Sequence, residues 1–267
     1  MAENARIGSV TECWRYAVKS MQGELLAALD VGRDGVVGDR GWAVINVETA
    51  NALSAKTAPK LLEARATISA DGVRIVLPDG RDTVAGDPEA HAILSAWLDR
   101  DVRLEPAGAG TRSSYEMTFD PPNDDAERVE IPSPAGTYLD LAALHVLTMN
   151  SLNTCANSYE AGAWDRRRFR PNALVEALGD DGYPEDAWVG RAVTLGGATI
   201  DVLMRTVRCA MPLRAQPPRD NPDSDGALPR DVNVFRTLQT IHDNHLGVYA
   251  SVREPGVIRV GDPVSFS

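Results

Sequence analysis

The stretch Gly35–Asn46, GVVGDRGWAVIN, joins a glycine turn to a β pattern. Gly35 and Gly38 are three residues apart, a spacing that favours a turn in which backbone amides can approach a ligand. Arg40 follows at the start of the next element, and Asp39 beside it offers a simple ion-pair partner. The residues WAVIN are rich in aromatic and β-branched side chains, which are typical of a strand. A structural turn and a ligand-binding turn are both consistent with this pattern.

Similar β patterns lie on both sides of this stretch. Val10–Val18 is rich in apolar residues, Val73–Leu77 reads VRIVL, and the turn clusters GRDG, ADG and PDG separate the segments. Together they predict a strand-rich module from about Ala5 to Pro106. One helix closes it, with apolar side chains at the spacing of a single helical face at Ala90, Ile93, Leu94, Trp97 and Leu98.

The segment after this helix has a different composition. Residues 108–134 are rich in Pro, Asp, Glu, Gly and Ser, which predicts a linker or exposed loop and a domain boundary near residue 110. We therefore expect two units, residues 5–106 and 110–266. In the second unit the patterns predict helices at Asp140–Thr148, Met149–Ser158 and around Val234–Ile241, strands at Asn172–Glu176, Ala192–Leu195, Thr199–Val207 and Val248–Val252, and a mobile loop at Pro212–Pro229. The predicted fold is mostly β (α+β), with a few helices.

Composition limits the functions that the chain can have. It has 267 residues, and 27 basic against 38 acidic side chains give a net charge of −11 and a pI near 4.9. Such a surface disfavours general nucleic-acid binding but still allows a local cationic pocket. No apolar run approaches the roughly 20 residues that a membrane-spanning helix needs. Residues 1–9 show no secretory signal, so we expect a cytoplasmic protein that has no membrane partner.

Cys209 has the most unusual surroundings of the three cysteines. Cys13, Cys155 and Cys209 form no CxxC pair, which argues against a disulfide framework and against cysteine-rich metal sites. Cys209 stands in RTVRCAMP, where Arg205 and Arg208 would favour the thiolate, a nucleophile and soft metal ligand. A buried structural thiol is the alternative, and it is the role we expect for Cys13 and Cys155.

Two groups of polar residues could bind an anion. Lys19 and Ser20 follow a predicted strand end, where an ammonium and a hydroxyl can meet a ligand, although a solvated lysine is the simpler explanation. The run Asp165–Asn172, DRRRFRPN, is the second. If its end is extended, Arg168, Arg170 and Asn172 share one face and can bind a phosphate or polar heterocycle. The alternative is an arginine cluster paired with nearby carboxylates at Asp180, Asp181, Glu185 or Asp186.

Other catalytic signatures are missing from the sequence. His91, His145, His242 and His245 do not form HExxH or another metal spacing, and there is no GxSxG elbow. A surface pair is the expected role of His242 and His245. The sequence also leaves open whether Asp165, Asn150 or Ser151 reaches a site around Cys209.

Seven segments, in order along most of the chain, resemble one family. YAVKSMQGE, GVVGDRGWAVIN and SAKTAPKLL resemble the N-terminal β-barrel module that precedes a MOSC domain, which is named after the C-terminal part of molybdenum cofactor sulfurase. RRRFRPNALVE, PEDAWVGRAVTLGG, RTVRCAMP and LGVYASVREPGVIRVGDPV resemble the MOSC domain itself. The arrangement is similar to that of YcbX-like proteins and mitochondrial amidoxime-reducing components. The resemblance implies a β-barrel-like module packed on a β-barrel MOSC domain.

The resemblance also implies a molybdenum cofactor, molybdopterin with Mo, whose metal takes one protein ligand, Cys209. By motif, the cofactor contacts fall on Lys19, Ser20, Arg40, Arg168, Arg170 and Asn172. The implied activity is reduction of a small N-oxygenated substrate, such as a hydroxylamine or amidoxime, with electrons from a separate protein.

The chain lacks two features that some members of the family have. Two functions other than reduction of N-oxygenated substrates also remain open. No CxxC cluster follows Val264, so we expect no iron–sulfur cluster, and no preceding module offers a pyridoxal phosphate lysine. The chain could instead carry the cofactor, or sulfur as a Cys209 persulfide, without turnover. It could also serve a biosynthetic pathway of other sulfur or N-oxygen chemistry.

Overall fold

The computed structural model describes residues 5–123, 125–218 and 226–267. Strands outnumber helices, so the predicted mostly β class is confirmed. The strands are β1 (Arg6–Arg15), β2 (Glu24–Leu26), β3 (Ala28–Gly32), β4 (Gly35–Val36), β5 (Trp42–Asn46), β6 (Arg65–Ser69), β7 (Gly72–Val76), β8 (Asp82–Val84), β9 (Val102–Pro106), β10 (Ser114–Met117), β11 (Val129–Pro132), β12 (Leu144–Thr148), β13 (Ala173–Ala177), β14 (Ala192–Leu195), β15 (Ala198–Val207), β16 (His245–Glu254), β17 (Gly256–Arg259) and β18 (Pro263–Phe266). The α-helices are α1 (Ala90–Leu98), α2 (Met149–Ser158), α3 (Arg166–Phe169) and α4 (Val232–His242), and 3₁₀ turns span Pro59–Glu63, Pro184–Trp188 and Met211–Leu213.

The largest sheet closes on itself as a barrel. Its strands follow the order β13-β12-β16-β15-β14-β18-β1, and β1 pairs again with β13, so seven strands form a closed wall with β2 attached beyond β1. A closed wall leaves no free strand edge. Apolar side chains such as Val10, Val146, Ile200 and Val264 fill the interior and are nearly inaccessible to solvent. Because β1 belongs to this wall, the first described strand packs among strands from the far end of the chain.

Leu144–Thr148 is a strand, so the helix predicted for Asp140–Thr148 is wrong. All five residues of β12 are buried, because the strand has the barrel core on one face and the helices α2 and α4 on the other. Val146 points into the barrel core, whereas the next residue, Leu147, packs in the outer cluster. A strand buried on both faces lacks the alternation of a half-exposed strand, and such a segment cannot be told from a buried helix by periodicity. The helix predicted for Met149–Ser158 is confirmed as α2.

A second core lies in the N-terminal part of the chain. Strands β5 and β9 pair antiparallel, β6, β7 and β8 form a three-stranded sheet, and α1 packs against them. Leu94 and Trp97 on the inner face of α1 join this core, as the helical spacing predicts. Strand β3 pairs instead with β17, which ties this part of the chain to the C-terminal strands. The division at residue 110 stays a prediction.

Residues 108–134, predicted to be a linker or exposed loop, contain a hairpin of β10 and β11. The strands are only four residues long and lie in a segment rich in Pro, Asp, Glu, Gly and Ser, so the segment carries no clear β pattern. One aromatic side chain, Tyr115, fixes the hairpin because it is 2 % exposed. Part of the predicted mobile loop Pro212–Pro229, residues 219–225, lies outside the described residues. On its flanks, Gln216 and Leu228 form an isolated antiparallel bridge.

His242, in the last turn of α4, is held between two oxygens. Its Nε2 lies 2.8 Å from Asp186 Oδ2 and its Nδ1 lies 2.9 Å from the His245 carbonyl, while the ring stacks on Tyr183 at 3.5 Å. Both nitrogens can donate only in the imidazolium. Burial alone would lower the pKa of His242, but the hydrogen bond and charge of Asp186 raise it above its usual value. His242 is therefore a buried side chain paired with Asp186, and not a member of the surface pair that the sequence predicted for His242 and His245.

This geometry predicts a pH dependence of stability. A raised folded-state pKa stabilises the fold fully below the usual histidine pKa, and the contribution is lost as the pH rises through the higher folded value. We expect the wild-type protein to have a higher free energy of unfolding than His242→Gln, and we expect this difference to be larger at pH 6 than at pH 8. Urea titration at the two pH values measures it. In an Asp186→Asn background the larger difference at pH 6 should disappear, because burial then lowers the pKa of His242 without the opposing carboxylate. An equal difference in the wild-type background would contradict the assignment.

Candidate functional site

A cleft opens where loops from both ends of the chain meet. Five of the seven predicted site residues line it, namely Lys19, Ser20, Arg40, Arg170 and Cys209. They come from the loops that follow β1, β4, α3 and β15. The local patterns that singled out these residues lie far apart in sequence, and the fold brings them to one place. The roles given to them above remain predictions.

Three of the cleft residues have an unusual backbone conformation. Ser20, Arg40 and Arg170 have φ angles of 67°, 48° and 57°, in the left-handed region that favours glycine. For an ordinary residue this conformation costs about 1–2 kcal/mol. The surrounding hydrogen bonds maintain it, since the Arg40 amide donates to the Tyr16 carbonyl and the Arg170 amide donates to the Arg166 carbonyl. Left-handed non-glycine residues concentrate at binding and catalytic sites, and here three of them border one cleft.

Tyr16 lies beneath two of the cationic side chains. The guanidinium carbons of Arg40 and Arg170 lie 4.8 and 4.0 Å from the centre of its ring, and its hydroxyl donates to the Pro171 carbonyl at 3.2 Å. Arg40 also pairs with Asp39. Burial works against the charge on Arg40, but Asp39 outweighs it and raises the pKa of the guanidinium. The aromatic ring and the carboxylate therefore hold Arg40 charged at the cleft wall.

Within the described part of the chain, Arg170 forms no ion pair with a carboxylate. Its Nη1 donates to the Met21 carbonyl at 2.7 Å, whereas its Nη2 is buried without a hydrogen-bond partner in the described part of the chain. Burial and the nearby charge of Arg40 lower the pKa of Arg170 to about 10. A buried donor without an acceptor costs about 1–3 kcal/mol. A ligand with an anionic or carbonyl oxygen would remove that cost.

Cys209 follows β15 and is partly exposed to the cleft. Its neighbour Arg208 is fixed by backbone hydrogen bonds to Asn244 and donates from Nη2 to the Phe169 carbonyl at 2.9 Å. The Nε of Arg208 is a second buried donor with no partner among the described residues. Arg205 lies elsewhere, with its guanidinium 3.6 Å from Asp186 and 3.8 Å from Asp243. Of the two arginines that the sequence placed near the thiol, Arg208 is thus the one at the cleft.

Arg168 and Asn172 do not line the cleft. The extended arrangement of residues 168–172 is wrong, because Arg166–Phe169 forms the short helix α3 and Arg170 caps it in the left-handed conformation. Arg168 is completely buried, and its guanidinium donates to four backbone carbonyls, those of Ala163, Pro212, Arg214 and Pro229. Asn172 bridges two strands, accepting from the His145 amide and donating to the Trp14 carbonyl. Both side chains organise the loops behind the cleft.

The other open residues are also accounted for by structural contacts. Asp165 is the N-cap of α3 and pairs with Arg167 at 2.9 Å. Ser151 donates to the buried Glu185, and Asn150 donates to the carbonyls of Ala177 and Asp180. None of these side chains lines the cleft. Cys13 and Cys155 are buried, and burial raises the pKa of their thiols to about 11 and about 12.

Sequence reasoning missed Lys56, Asp140 and Tyr115. Asp140 lines the cleft and accepts a hydrogen bond from Lys19 at 2.5 Å on one oxygen and from Lys56 at 2.7 Å on the other. Both ammonium groups lie over the ring of Tyr115, 4.4 and 3.8 Å from its centre. A signal was present for Lys56, which stands in the quoted segment SAKTAPKLL. Asp140 and Tyr115 fall in segments with no pattern that marks a site.

The cleft as a whole is cationic although the chain is acidic. Lys19 and Lys56 share the carboxylate of Asp140, and Arg40 pairs with Asp39. Arg170 and Arg208 form no ion pair among the described residues. An uncompensated positive charge in a buried cleft favours an anionic ligand. With a single thiol on the same wall, the arrangement can bind a phosphorylated ligand and ligate a soft metal at once.

Comparison with known proteins identifies the family. A model described as the MOSC domain matches residues 135–265, and one described as the MOSC N-terminal beta barrel domain matches residues 7–97. The chain therefore belongs to the MOSC family, with both modules in the expected order. This membership supports a role related to the molybdenum cofactor.

The chain is similar to curated proteins over nearly its whole length. It is 23 % identical to mitochondrial amidoxime-reducing component 1 from Homo sapiens, over 97 % of this chain and 83 % of that protein. It is 26 % identical to mitochondrial amidoxime-reducing component 1 from Mus musculus, over 97 % of this chain and 82 % of that protein. Among solved structures, the YUAD protein from Bacillus subtilis matches with a TM-score of 0.45 and 11 % identity, over 97 % of this chain and 94 % of that chain. Within the described residues, no helix is long and apolar enough to cross a membrane.

Proposed function

We propose that the cleft binds a molybdenum cofactor and that the protein uses it to reduce small N-oxygenated compounds, such as hydroxylamines or amidoximes. The observation that carries this proposal is the pair of buried guanidinium donors without partners among the described residues, Arg170 Nη2 and Arg208 Nε, on the cleft that Cys209 also lines. A bound ligand with acceptor oxygens or nitrogens would satisfy such donors. The names of the relatives, amidoxime-reducing components, support the choice of reaction.

The residues at the cleft fit the chemistry of this cofactor. Molybdopterin carries a phosphate and a pterin ring whose edges accept and donate hydrogen bonds, and guanidinium groups bind such edges in pairs. Arg170 and Arg208 form no ion pair with a carboxylate of the described residues, and Lys19, Ser20 and Arg40 add further donors. A thiolate suits a soft, sulfur-rich metal centre. We therefore assign the metal to Cys209 and the phosphate and pterin to the cationic wall.

The protein's part in the reaction is binding, orientation and electrostatics. The bound cofactor would supply the two-electron chemistry by which an N–O bond is broken. Tyr16 and Asp39 hold Arg40, and the Met21 carbonyl holds Arg170, so the cationic wall is in place before a ligand binds. Arg168 fixes the loop that leads away from Cys209 through its bonds to the Pro212 and Arg214 carbonyls. Electrons would come from a separate donor protein.

The proposal is tested by metal analysis together with a reduction assay. Protein purified from a host that makes the cofactor is expected to contain about one molybdenum per chain and to reduce at least one compound in a panel of N-hydroxylated substrates when a chemical electron donor is supplied. Protein without molybdenum would refute the proposal. A persulfide on Cys209 found by mass spectrometry, with no reduction of any compound, would instead show a carrier of sulfur or cofactor.

A further inference from the structure

The backbone around Cys209 is held by the residues on either side of it. Within the described residues, no hydrogen bond is formed to the amide or the carbonyl of Cys209 itself. On the C-terminal side, Arg168 donates to the Pro212 and Arg214 carbonyls. On the N-terminal side, β15 ends two residues before the thiol, and only Arg208 lies between them. The contacts of Arg208 therefore determine where the peptide before Cys209 lies.

Asn244 binds both backbone groups of Arg208. The Arg208 amide donates to the Asn244 carbonyl at 2.8 Å, and the Asn244 side chain donates from Nδ2 to the Arg208 carbonyl at 2.7 Å. In an antiparallel pair of strands, the second of these bonds would come from the backbone amide. Here that amide is turned towards α4, where it donates to the Leu238 carbonyl at 2.9 Å. The side-chain amide of Asn244 thus replaces the missing backbone donor.

The backbone conformation at this position suits asparagine. The φ angle of Asn244 is 59° and that of Asp243 before it is 49°, so two successive residues other than glycine lie in the left-handed region. Asparagine tolerates this region better than most residues because its side chain is short and polar. Glycine would fit the backbone but offers no side-chain donor, and an ionised aspartate offers only acceptors. Of these three residues, asparagine alone combines the conformation with the donor.

The corner that contains Asn244 is fixed to the rest of the fold. Helix α4 ends at His242, whose ring is held by two hydrogen bonds. Strand β16 begins at His245, which pairs with Val207 at the end of β15. Asn244 lies between this helix end and this strand start. It therefore offers Arg208 a partner with a fixed position.

Asn244 can influence the cleft although it is not among the residues that line it. Arg208 and Cys209 both line the cleft. The carbonyl of Arg208 and the amide of Cys209 share one rigid peptide plane. A donor that holds this carbonyl restricts rotation of the plane, and so restricts the direction in which the Cys209 side chain leaves the backbone. A ligating side chain has to be held within about 0.5 Å of its productive position.

We propose that Asn244 is a positioning residue for the thiol of Cys209. Its Nδ2 sets the direction of the thiol through the Arg208 carbonyl, and its own carbonyl holds the Arg208 amide, which keeps that residue at the cleft wall. For the metal, this inference rests on the proposed function. For the free thiol it does not, so the two can be tested separately.

The first test measures the thiol in the cofactor-free protein. Asn244→Gly keeps the left-handed backbone and the bond to the Arg208 amide, and it removes the Nδ2 donor. One hydrogen bond between neutral groups contributes a net factor of about 2–10 to an equilibrium, so Cys209 should react with iodoacetamide about 2–10-fold faster when its peptide is free to rotate. Mass spectrometry identifies the alkylated cysteine, and the buried Cys13 and Cys155 should react more slowly.

Asp243→Gly is the matched control. Asp243 has the same backbone conformation one residue earlier, but its side chain is 82 % exposed and lies 3.8 Å from Arg205. That variant should keep the wild-type alkylation rate. A second variant, Asn244→Asp, places an acceptor against the Arg208 carbonyl and should increase the rate at least as much as Asn244→Gly. Unchanged rates in both Asn244 variants, or an equal increase in Asp243→Gly, would overturn the inference.

The second test uses protein loaded with cofactor and rates expressed per bound molybdenum. Asn244→Gly should lower kcat about 2–10-fold and leave KM unchanged, because the change acts through the ligand and not through the lining of the cleft. Asp243→Gly should keep both constants. A purely structural role would lower the stability of Asn244→Gly and leave its kcat per molybdenum unchanged, which would overturn the inference for the metal. Wild-type protein without molybdenum would refute the proposed function, while the alkylation rates would still support or overturn the positioning of the thiol.

Discussion

Cys209→Ser is expected to purify as a folded protein that has lost its molybdenum. A serine hydroxyl is not ionised near neutral pH and is a hard ligand, so it replaces a thiolate poorly at a sulfur-rich metal centre. Loss of an outer-shell partner already costs about 10–100-fold in metal affinity, and loss of the ligand itself should cost more. Metal analysis, together with reduction of an N-hydroxylated substrate, measures the effect.

The fold itself should tolerate this change. Cys209 packs only at the margin of a small apolar cluster of Ala55, Leu62 and Met211 and is partly exposed. Cys155→Ala is the control because it also removes a thiol, but from a buried position away from the cleft. That variant should keep its molybdenum although it loses stability. Full molybdenum content and activity in Cys209→Ser would contradict the assignment of the ligand.

Arg168→Met is expected to destabilise the protein more than it affects any ligand. The substitution leaves the carbonyls of Ala163, Pro212, Arg214 and Pro229 without their donor inside the protein. Each buried carbonyl that loses its donor costs about 1–3 kcal/mol, so the four together should cost about 4 kcal/mol or more. For a chain of this size the transition temperature should fall by roughly 10 °C. Thermal and urea unfolding of the cofactor-free protein measure the loss directly.

A surface arginine provides the comparison. Arg74→Met removes a guanidinium that is 56 % exposed and pairs with Asp82, so its effect should stay within about 0.5 kcal/mol. The family resemblance gives Arg168 a contact with the cofactor instead. Unchanged unfolding of Arg168→Met together with loss of molybdenum would support that contact and contradict the structural role.

The sequence predicted seven of the eighteen strands in the described residues, and the failures have physical causes. Alternation and β-branched residues mark β14 and β15, and the structure confirms both. The apolar run of β12 was mistaken for a helix because both faces of that strand are buried. The four residues of α3 are too few for a helical period to show, so the side-chain directions expected for residues 168–172 were also wrong.

The site was harder to predict because its contacts are distant in sequence. Composition marks the arginine run but does not show that Arg168 meets carbonyls whereas Arg170 faces the cleft. Nor does any local pattern connect Lys19 with Asp140, which is 121 residues further along the chain. The sequence did mark cationic side chains of the kind that bind a phosphorylated ligand, at Lys19, Arg40 and Arg170. The pairing of the barrel strands determines which of these side chains come together.

The closure of that barrel sets an order of events during synthesis. Gly8 of β1 pairs with Val264 of β18, and almost the whole chain lies between them. At the usual translation rate of about 5–20 residues per second, roughly 10–50 s pass before β1 can meet this partner. During that time β1 can pair with β2 and later with β13, but the barrel cannot close until β18 has been made. The cleft, which is lined by residues from Lys19 to Tyr249, cannot form before both halves have been made, so we expect a cofactor to bind after the two halves have come together.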